Sequence, residues 1–396
     1  MRILTVGYGA AGYGFGRVLR ALVSAWLPQH EVSHFEMGGA ADPDFPCVVA
    51  GRLAPEDRSG FRALAAQAAA SQPDLVFLYL EAFPAARAVH ALKAAAPAVP
   101  VVVYCPIDHE FHVDASLAPL GQADRLCVFT DFAARYLEQV LRSLGAFDRP
   151  TCVVPHGIDL QRFAPLASEP ASARRMARAT LFASRPHLHD AFIVLNANRN
   201  QPRKRLDLTI DAFARFARGK EDAYLYFHAG MRDQGCRLLP HAERRGIAER
   251  LLFTRWDAEH PRVTDPHLNL IYGACDVGVN TAVGEGWGLV AFEHAATGAA
   301  QIVPDHTGCG DAWRGHALLA ASTAREDPAL GTLHEVDPGA LAAQFELLYG
   351  NARLRESWSA RALEHVRRNG ESWPQVAQRF EAIFSDLRTC APSSPS

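Results

Sequence analysis

Short apolar runs recur along the chain, each followed by a polar or glycine-bearing loop and then by a stretch with helical spacing. Continuous apolar runs bounded by turn residues read as buried strands, and the stripes between them as crossover helices. The first run, Ile3-Leu4-Thr5-Val6, leads through a glycine loop into a helix over 15–27, and a second apolar stretch covers 31–37. The pattern then predicts helix 55–71, strand 74–80, helix 84–95, strand 99–104, a short helix 115–122, strand 126–129, helix 132–144 and strand 151–154. Residues 165–188, carrying Pro, Ser, Ala and Arg with weak periodicity, read as an interdomain connection with some helix. A second alternation starts at Ala191: strand 192–195, a helical stripe of Leu206, Ile210, Phe213, Ala214 and Ala217, strand 223–227, helix 239–247, strand 251–254, helix 268–274, strand 275–280, a helix from Leu289 and strand 301–303. The tail, 338–388, reads as all helix. Two alternations in series predict an α/β fold of two Rossmann-like, doubly wound domains, 1–164 and 189–370, each with a parallel sheet covered on both faces.

Ligands of such sheets sit at the carboxyl ends of the strands, so the loops there are the places to look for chemistry. Residues 281–293, Thr-Ala-Val-Gly-Glu-Gly-Trp-Gly-Leu-Val-Ala-Phe-Glu, run from a strand through a glycine loop into a helix. Backbone N–H groups at a helix start form an anion cradle, favoured by the helix dipole. Glu285 lies in that loop and Glu293 more than a turn into the helix, so the two carboxylates cannot grip one atom. They would instead accept hydroxyls on either side of a bound phosphate. A glycine loop can also serve only as a tight turn, but a turn needs neither glutamate. A second cluster, Asn198-Arg199-Asn200-Gln201-Pro202-Arg203-Lys204, holds three cations between a strand and a helix and should face the first. Arg offers a planar fork and Lys a compact charge to phosphate oxygens. A third loop, Cys105-Pro106-Ile107-Asp108-His109-Glu110, follows the strand ending at Tyr104.

Composition narrows the class. The chain has 396 residues, with 49% hydrophobic and 21% charged, as expected of a globular protein of two or three domains. A net charge of −3 gives no general reason to bind nucleic acid or anionic membrane, although a local basic patch such as Arg174, Arg175 and Arg178 leaves peripheral membrane contact open. The eight cysteines form no Cys-x-x-Cys pair, which predicts reduced, mostly buried thiols and a cytoplasmic protein. Met1-Arg2 leads straight into a strand, so no signal peptide is expected, nor is any run apolar enough for a transmembrane helix.

Taken together, Arg199 with Lys204, the run Gly284-Glu285-Gly286-Trp287-Gly288-Leu289 reaching Glu293 in a Glu-x7-Glu spacing, and Pro155-His156-Gly157-Ile158-Asp159 resemble the retaining, nucleotide-sugar-dependent glycosyltransferases of family 4. The resemblance covers essentially the whole chain. It implies the GT-B architecture, two Rossmann-like domains facing across a cleft, with a helix at 371–390 crossing back to the first domain; the Pro/Ser-rich end, 391–396, reads by its composition as a disordered tail. It implies an N-terminal acceptor domain and a C-terminal donor domain. Arg199 and Lys204 would bind the donor diphosphate. Glu285 and the amides of Gly286, Trp287, Gly288 and Leu289 would hold the sugar and phosphate, Glu293 the ribose, and Gly14 or Gly16 would approach the diphosphate from the first domain. Asp108 and His109 compete for the family's catalytic histidine position. Asn196-Ala197-Asn198 stands where many members have a glycine before the arginine. The expected reaction moves a sugar from a nucleoside diphosphate sugar, UDP or GDP, to a glycan, lipid, protein or small-molecule acceptor, with no cofactor and no metal.

Other readings compete. Gly7, Gly9 and Gly12 with Glu36 match a dinucleotide fingerprint and would suit an NAD(P)-dependent oxidoreductase. Tyr13, Gly14, Phe15 and Gly16 prolong that loop, which would suit a reach across a cleft. Asp42-Pro43-Asp44 fits a metal-binding Asp-x-Asp by letters, but Asp and Pro favour a turn. A sugar-nucleotide epimerase, or a sensor without activity, would share the donor pocket.

Overall fold

The computed structural model describes residues 1–10, 14–38, 42–57, 61–231, 233–256 and 260–389. Its contacts divide the chain into two units, Met1–Gly157 with Glu371–Ser396, and Ile158–Gly370. Gly12 and Tyr13, Cys390 and the tail 391–396 fall outside the described residues.

The first unit holds a seven-stranded parallel sheet: β1 Arg2–Gly7, β2 Glu31–Glu36, β3 Val48–Arg52, β4 Leu75–Tyr79, β5 Val101–Tyr104, β6 Arg125–Val128 and β7 Cys152–Val153, in the order β3-β2-β1-β4-β5-β6-β7. Leu4, Val6, Val76, Leu78, Val101, Val103, Leu126 and Val128 pack on one face with the helices Arg62–Ser71, Ala82–Ala95 and Asp131–Ser143. The other face meets the helices Gly14–Trp26 and Trp373–Thr389. Trp26 lies edge-on to Phe77 at 5.0 Å and to Phe380 at 6.0 Å, and its Nε1 donates to the Ala377 carbonyl at 3.3 Å. Phe380 and Phe384 are fully buried, and such rings contribute about 1.5–3 kcal/mol each. That contact places the last helix in the first unit although it follows the second in sequence.

The second unit repeats the design with six parallel strands, β8 Phe192–Asn196, β9 Ala223–Phe227, β10 Leu251–Phe253, β11 Val277–Val279, β12 Ala300–Pro304 and β13 Leu318–Ala320, in the order β10-β9-β8-β11-β12-β13. Ile193 and Leu195 face one core, with the helices Pro170–Leu181, Asp265–Ala274 and Leu289–Ala296. Phe192 and Val194 face the other, with Leu206–Phe216 and Pro338–Gly350. An antiparallel hairpin, β14 Ser322–Asp327 and β15 Gly331–Val336, stands apart from the sheet.

Several expectations differ from these findings. The division falls at 157/158 rather than at 164, and the helix expected within 165–188 is not a connection but packs in the second unit. Pro170 opens it, and the Glu169 side chain caps the amides of Ala171 and Ser172. Its Arg178 is buried and donates to Asp276 Oδ2 at 2.7 Å and to the carbonyls of Ala274 and His189. The basic patch read around Arg174, Arg175 and Arg178 is therefore not a free surface, because Asp276 also meets Arg174 at 3.5 Å. Gly14, Phe15 and Gly16 do not prolong the first loop but form the opening turn of Gly14–Trp26. A Cβ on Gly16 would lie 2.0 Å from the Ala10 carbonyl oxygen, so close packing of loop and helix requires this glycine. Asp42 and Asp44 make a turn, with Asp42 Oδ1 accepting the Asp44 amide at 3.0 Å and Asp42 Oδ2 paired with Arg20 at 2.6 Å. The seven described cysteines are free thiols. Among the described residues, no helix is long and apolar enough to cross a membrane.

Candidate active site

In the second unit the strand order reverses between β8 and β11, and the crevice at such a switch point is where open α/β sheets bind ligands. The loops leaving those two strands are 197–205 and 280–288, the two clusters singled out by sequence. The structure joins them through backbone and side chains. The Val283 amide donates to the Arg203 carbonyl at 2.8 Å, and Thr281 Oγ1 lies 3.0 and 2.9 Å from the Lys204 and Arg205 carbonyls. Asn196, the last residue of β8, opens the run Asn196-Ala197-Asn198. It is fully buried, and its amide donates to Thr209 Oγ1, which meets Thr281 Oγ1 at 2.9 Å. Asn196 Oδ1 also accepts the Asn198 amide at 3.1 Å, fixing the loop's first turn.

At the centre, the Lys204 ammonium donates to Glu285 Oε2, and both side chains are 8% exposed. Asn280 Nδ2 donates to the same oxygen at 3.2 Å, while Arg203 donates to the Gly284 carbonyl at 3.1 Å and lies 3.9 Å from Glu285 Oε1. Burial would raise the Glu285 carboxyl, but the charges of Lys204 and Arg203 hold it below its usual value. The site thus keeps an ionised carboxylate beside an ammonium in a desolvated crevice.

The glycine loop ends at Gly288, whose φ of +84° belongs to the left-handed region, and the helix Leu289–Ala296 starts at the next residue. Trp287 is half-buried, its ring stacked on Phe292 at 4.5 Å with 5° between planes. Glu293 is buried one turn along and accepts the Tyr272 hydroxyl at 3.0 Å. Replacing Tyr272 by Phe takes a donor from the buried Glu293 side chain and should cost about 1–3 kcal/mol of stability. Denaturant melts of the two proteins measure it.

Arg199, on the same loop, is held by a carboxylate of its own. Arg199 forks onto Asp233, Nε at 2.7 Å and NH2 at 3.2 Å, a partner that sequence spacing did not suggest. Reading the sequence also missed the segment after β12. Thr307, at φ +48°, accepts the Glu285 amide at 3.3 Å and lies 3.2 Å from its carbonyl. A Cβ on Gly308 would sit 2.1 Å from the Gly286 carbonyl oxygen. The His306 ring stacks on His334 of β15 at 4.8 Å, and burial pushes it down to about 4. The run Thr307-Gly308-Cys309-Gly310 directly after a strand was the available signal.

In the first unit the reversal lies between β1 and β4. Glu36 fills the glycine loop there. Its Oε2 accepts the Gly9 amide at 3.0 Å and its Oε1 the Gly38 amide at 2.9 Å, with His34 Nε2 at 3.3 Å. Burial would raise this carboxyl, but those hydrogen bonds hold it low. The acid that a dinucleotide fingerprint reserves for a ribose is thus spent on the loop's own amides. Asp108 and His109 are half-buried beyond β5, and His109 meets Phe111 edge-on at 6.3 Å. The Tyr79 phenol, fully buried, is pushed up by burial first and then by the charges of Glu81 and Asp108.

No family model matches the chain. A D-inositol 3-phosphate glycosyltransferase of Geodermatophilus obscurus is 30% identical over 271 residues, covering 67% of this chain and 53% of that protein. A sucrose-phosphate synthase structure from Thermosynechococcus elongatus superposes with a TM-score of 0.74 at 19% identity, covering 98% of this chain and 99% of that one. The chain has the GT-B fold. An E. coli trehalose-6-phosphate structure bound with UDP-2-fluoro glucose shares that GT-B fold, with a TM-score of 0.74, 15% identity and full coverage of both chains. The chain spans about half the length of the curated relatives it matches. Two of those relatives are glycosyltransferases by name, in keeping with the resemblance read from the motifs.

Proposed function

We propose that this GT-B protein is a retaining glycosyltransferase of family 4 that moves a sugar from a UDP or GDP sugar to an acceptor. The observation that carries the reading is the buried Lys204–Glu285 pair at the β8/β11 switch point, directly before the helix at Leu289. A lysine has three donors, so an ammonium anchored on Glu285 still has the chemistry to meet phosphate oxygens. Lys204, Arg199 and the helix N-terminus would stabilise the departing diphosphate. Those cations are proposed to do without a metal. Glu285 and the amides from Gly286 to Leu289 would hold the transferred sugar and its phosphate, and Glu293 the ribose hydroxyls. The acceptor would attack the face the diphosphate leaves, guided by that diphosphate, with Asp108 or His109 orienting it. A cytoplasmic location goes with this reading.

A similar structure supports the class of donor: it was solved bound with UDP-2-fluoro glucose. A thermal-shift panel of nucleoside diphosphates, their sugars and NAD(P) tests it. UDP or GDP at a hundredfold excess over Kd should add about 2.7 kcal/mol of stability, and NAD(P) none. Release of nucleoside diphosphate only when acceptor is present then separates a transferase from an epimerase. A panel in which only NAD(P) stabilises the protein would reverse the assignment.

A further inference from the structure

The second unit has another concavity, of about 510 Å³, on the side away from the donor loops. It is bounded by the end of the helix Leu206–Phe216, the end of Leu238–Arg244 and the turn Ala248–Arg250. These segments lead into β9 and β10, so the concavity lies at the amino ends of the strands. The donor loops lie at the carboxyl ends. The helix from Leu206 to Phe216 alone separates the two by roughly 16 Å at 1.5 Å per residue.

Four guanidinium groups line it, those of Arg215, Arg218, Arg245 and Arg250, with one carboxylate, Asp211. Asp211 is taken: Arg245 forks onto it at 2.7 and 3.1 Å, and His241 meets it at 2.6 Å. Arg250 is held over the Tyr224 ring at 5.6 Å and donates to the Glu221 carbonyl. Among the described residues, no ion pair is found for Arg215 or Arg218, and both are exposed. Arg215 Nη1 and the Asp337 carboxylate both flank Gly339, and two helix C-termini supply only about half a negative charge each, so about one positive charge is left unmatched among the lining groups. The wall between them is small, Ala214 and Ala217, and an added Cβ on Gly219 or Gly246 would meet no atom within 4 Å. The geometry is a shallow bowl with a fixed pair of cations on one side and two exposed guanidinium groups on the other.

We infer that this bowl is a second binding site, separate from the donor crevice, for a multiply charged phosphate-bearing anion. Guanidinium forks match phosphate oxygens two at a time, and the volume falls in the range of small-molecule sites, about 300–1,000 Å³. Such an anion could be a soluble phosphorylated metabolite or the headgroup of an anionic lipid. The site does not depend on the donor reading, since it uses none of the same residues.

The probe is inorganic pyrophosphate, titrated calorimetrically into the full chain with UDP saturating to block the donor crevice. Binding should persist under UDP and weaken tenfold or more in the R215Q/R218Q double variant. Both residues are exposed, so the variant should melt with the wild type. If UDP has no site on the protein, the wild-type and variant titrations are compared without it. Sedimentation with phosphatidic acid vesicles against phosphatidylcholine vesicles is the second arm. Vesicle binding lost in the double variant, with no pyrophosphate binding, assigns the site to a lipid headgroup. Pyrophosphate binding that UDP abolishes, binding of either probe that the double variant leaves unchanged, or no binding of either probe overturns the inference.

Discussion

Lys204→Ala is expected to cut kcat/KM by roughly a hundredfold to a thousandfold, the loss found when one preorganised partner of a developing negative charge is removed. Stability will fall as well, because Lys204 and Glu285 are buried together. Removing one member of a buried pair costs about 3–5 kcal/mol, mostly by stranding the other charge. The double variant Lys204→Met/Glu285→Gln removes both charges and keeps the volume. It should recover most of the melting temperature and none of the turnover. Recovery of turnover with stability would mean that Lys204 serves only the fold.

The pH profile of unfolding gives an independent reading of the same pair. In the wild type, Glu285 titrates below its unfolded value of 4.5. Its contribution is therefore present above that value and is lost as pH falls through the folded one. Without Lys204, burial, already the largest single influence, is opposed only by Arg203 and Asn280, and the folded carboxyl rises. The single variant should then lose stability as pH climbs out of the carboxylate range, the opposite slope. Denaturant melts at several pH values measure both signs.

Gly308→Ala carries the second large effect. A Cβ there would sit 2.1 Å from the Gly286 carbonyl oxygen and 2.8 Å from that of Glu285, both backbone atoms. Neither can step aside as a side-chain end would, so the glycine loop must move. Overpacking of this kind costs about 1–3 kcal/mol. A displacement of an ångström in a catalytic loop can cost about a hundredfold in rate. Donor-induced stabilisation should vanish and transfer should fall about a hundredfold. Gly350→Ala, with nothing within 4 Å of the new carbon, is the control and should behave as wild type. Unchanged donor binding in Gly308→Ala would show that the loop's seat on this residue does not matter.

What the sequence revealed follows from the range of the forces involved. Strands β4, β5, β8 and β9 are continuous apolar runs because both faces of the sheet are covered, and such runs are readable locally. Strand β3, Val-Val-Ala-Gly-Arg, is a partly exposed edge with a register shift opposite His34 and Phe35, so it lacks that signature. The hairpin β14–β15 hides for a similar reason: Ser-Thr-Ala-Arg-Glu-Asp is largely polar and pairs only with its neighbour. Lys204 and Glu285 were legible because parallel-strand topology converges loops at one end. Asp233, Thr307 and Gly308 were not, since their meaning is a tertiary contact with no spacing rule behind it. Glycine misled once, at Gly16, where intimacy between loop and helix, rather than an extended loop, demands a residue without a side chain.

The hairpin β14–β15 has a bearing on how proteins of this architecture diversify. Its His334 amide donates to the Val283 carbonyl, its His334 ring rests on His306, and its Glu335 grips Arg205 at 2.6 Å. One appended ribbon thereby touches all three segments that surround the crevice, yet no strand of the parallel sheet pairs with it. Inheritance can rewrite the outward positions of this ribbon, or an engineer can graft others in their place, and so reshape the crevice rim while Leu333 and Val336 keep their place in the core.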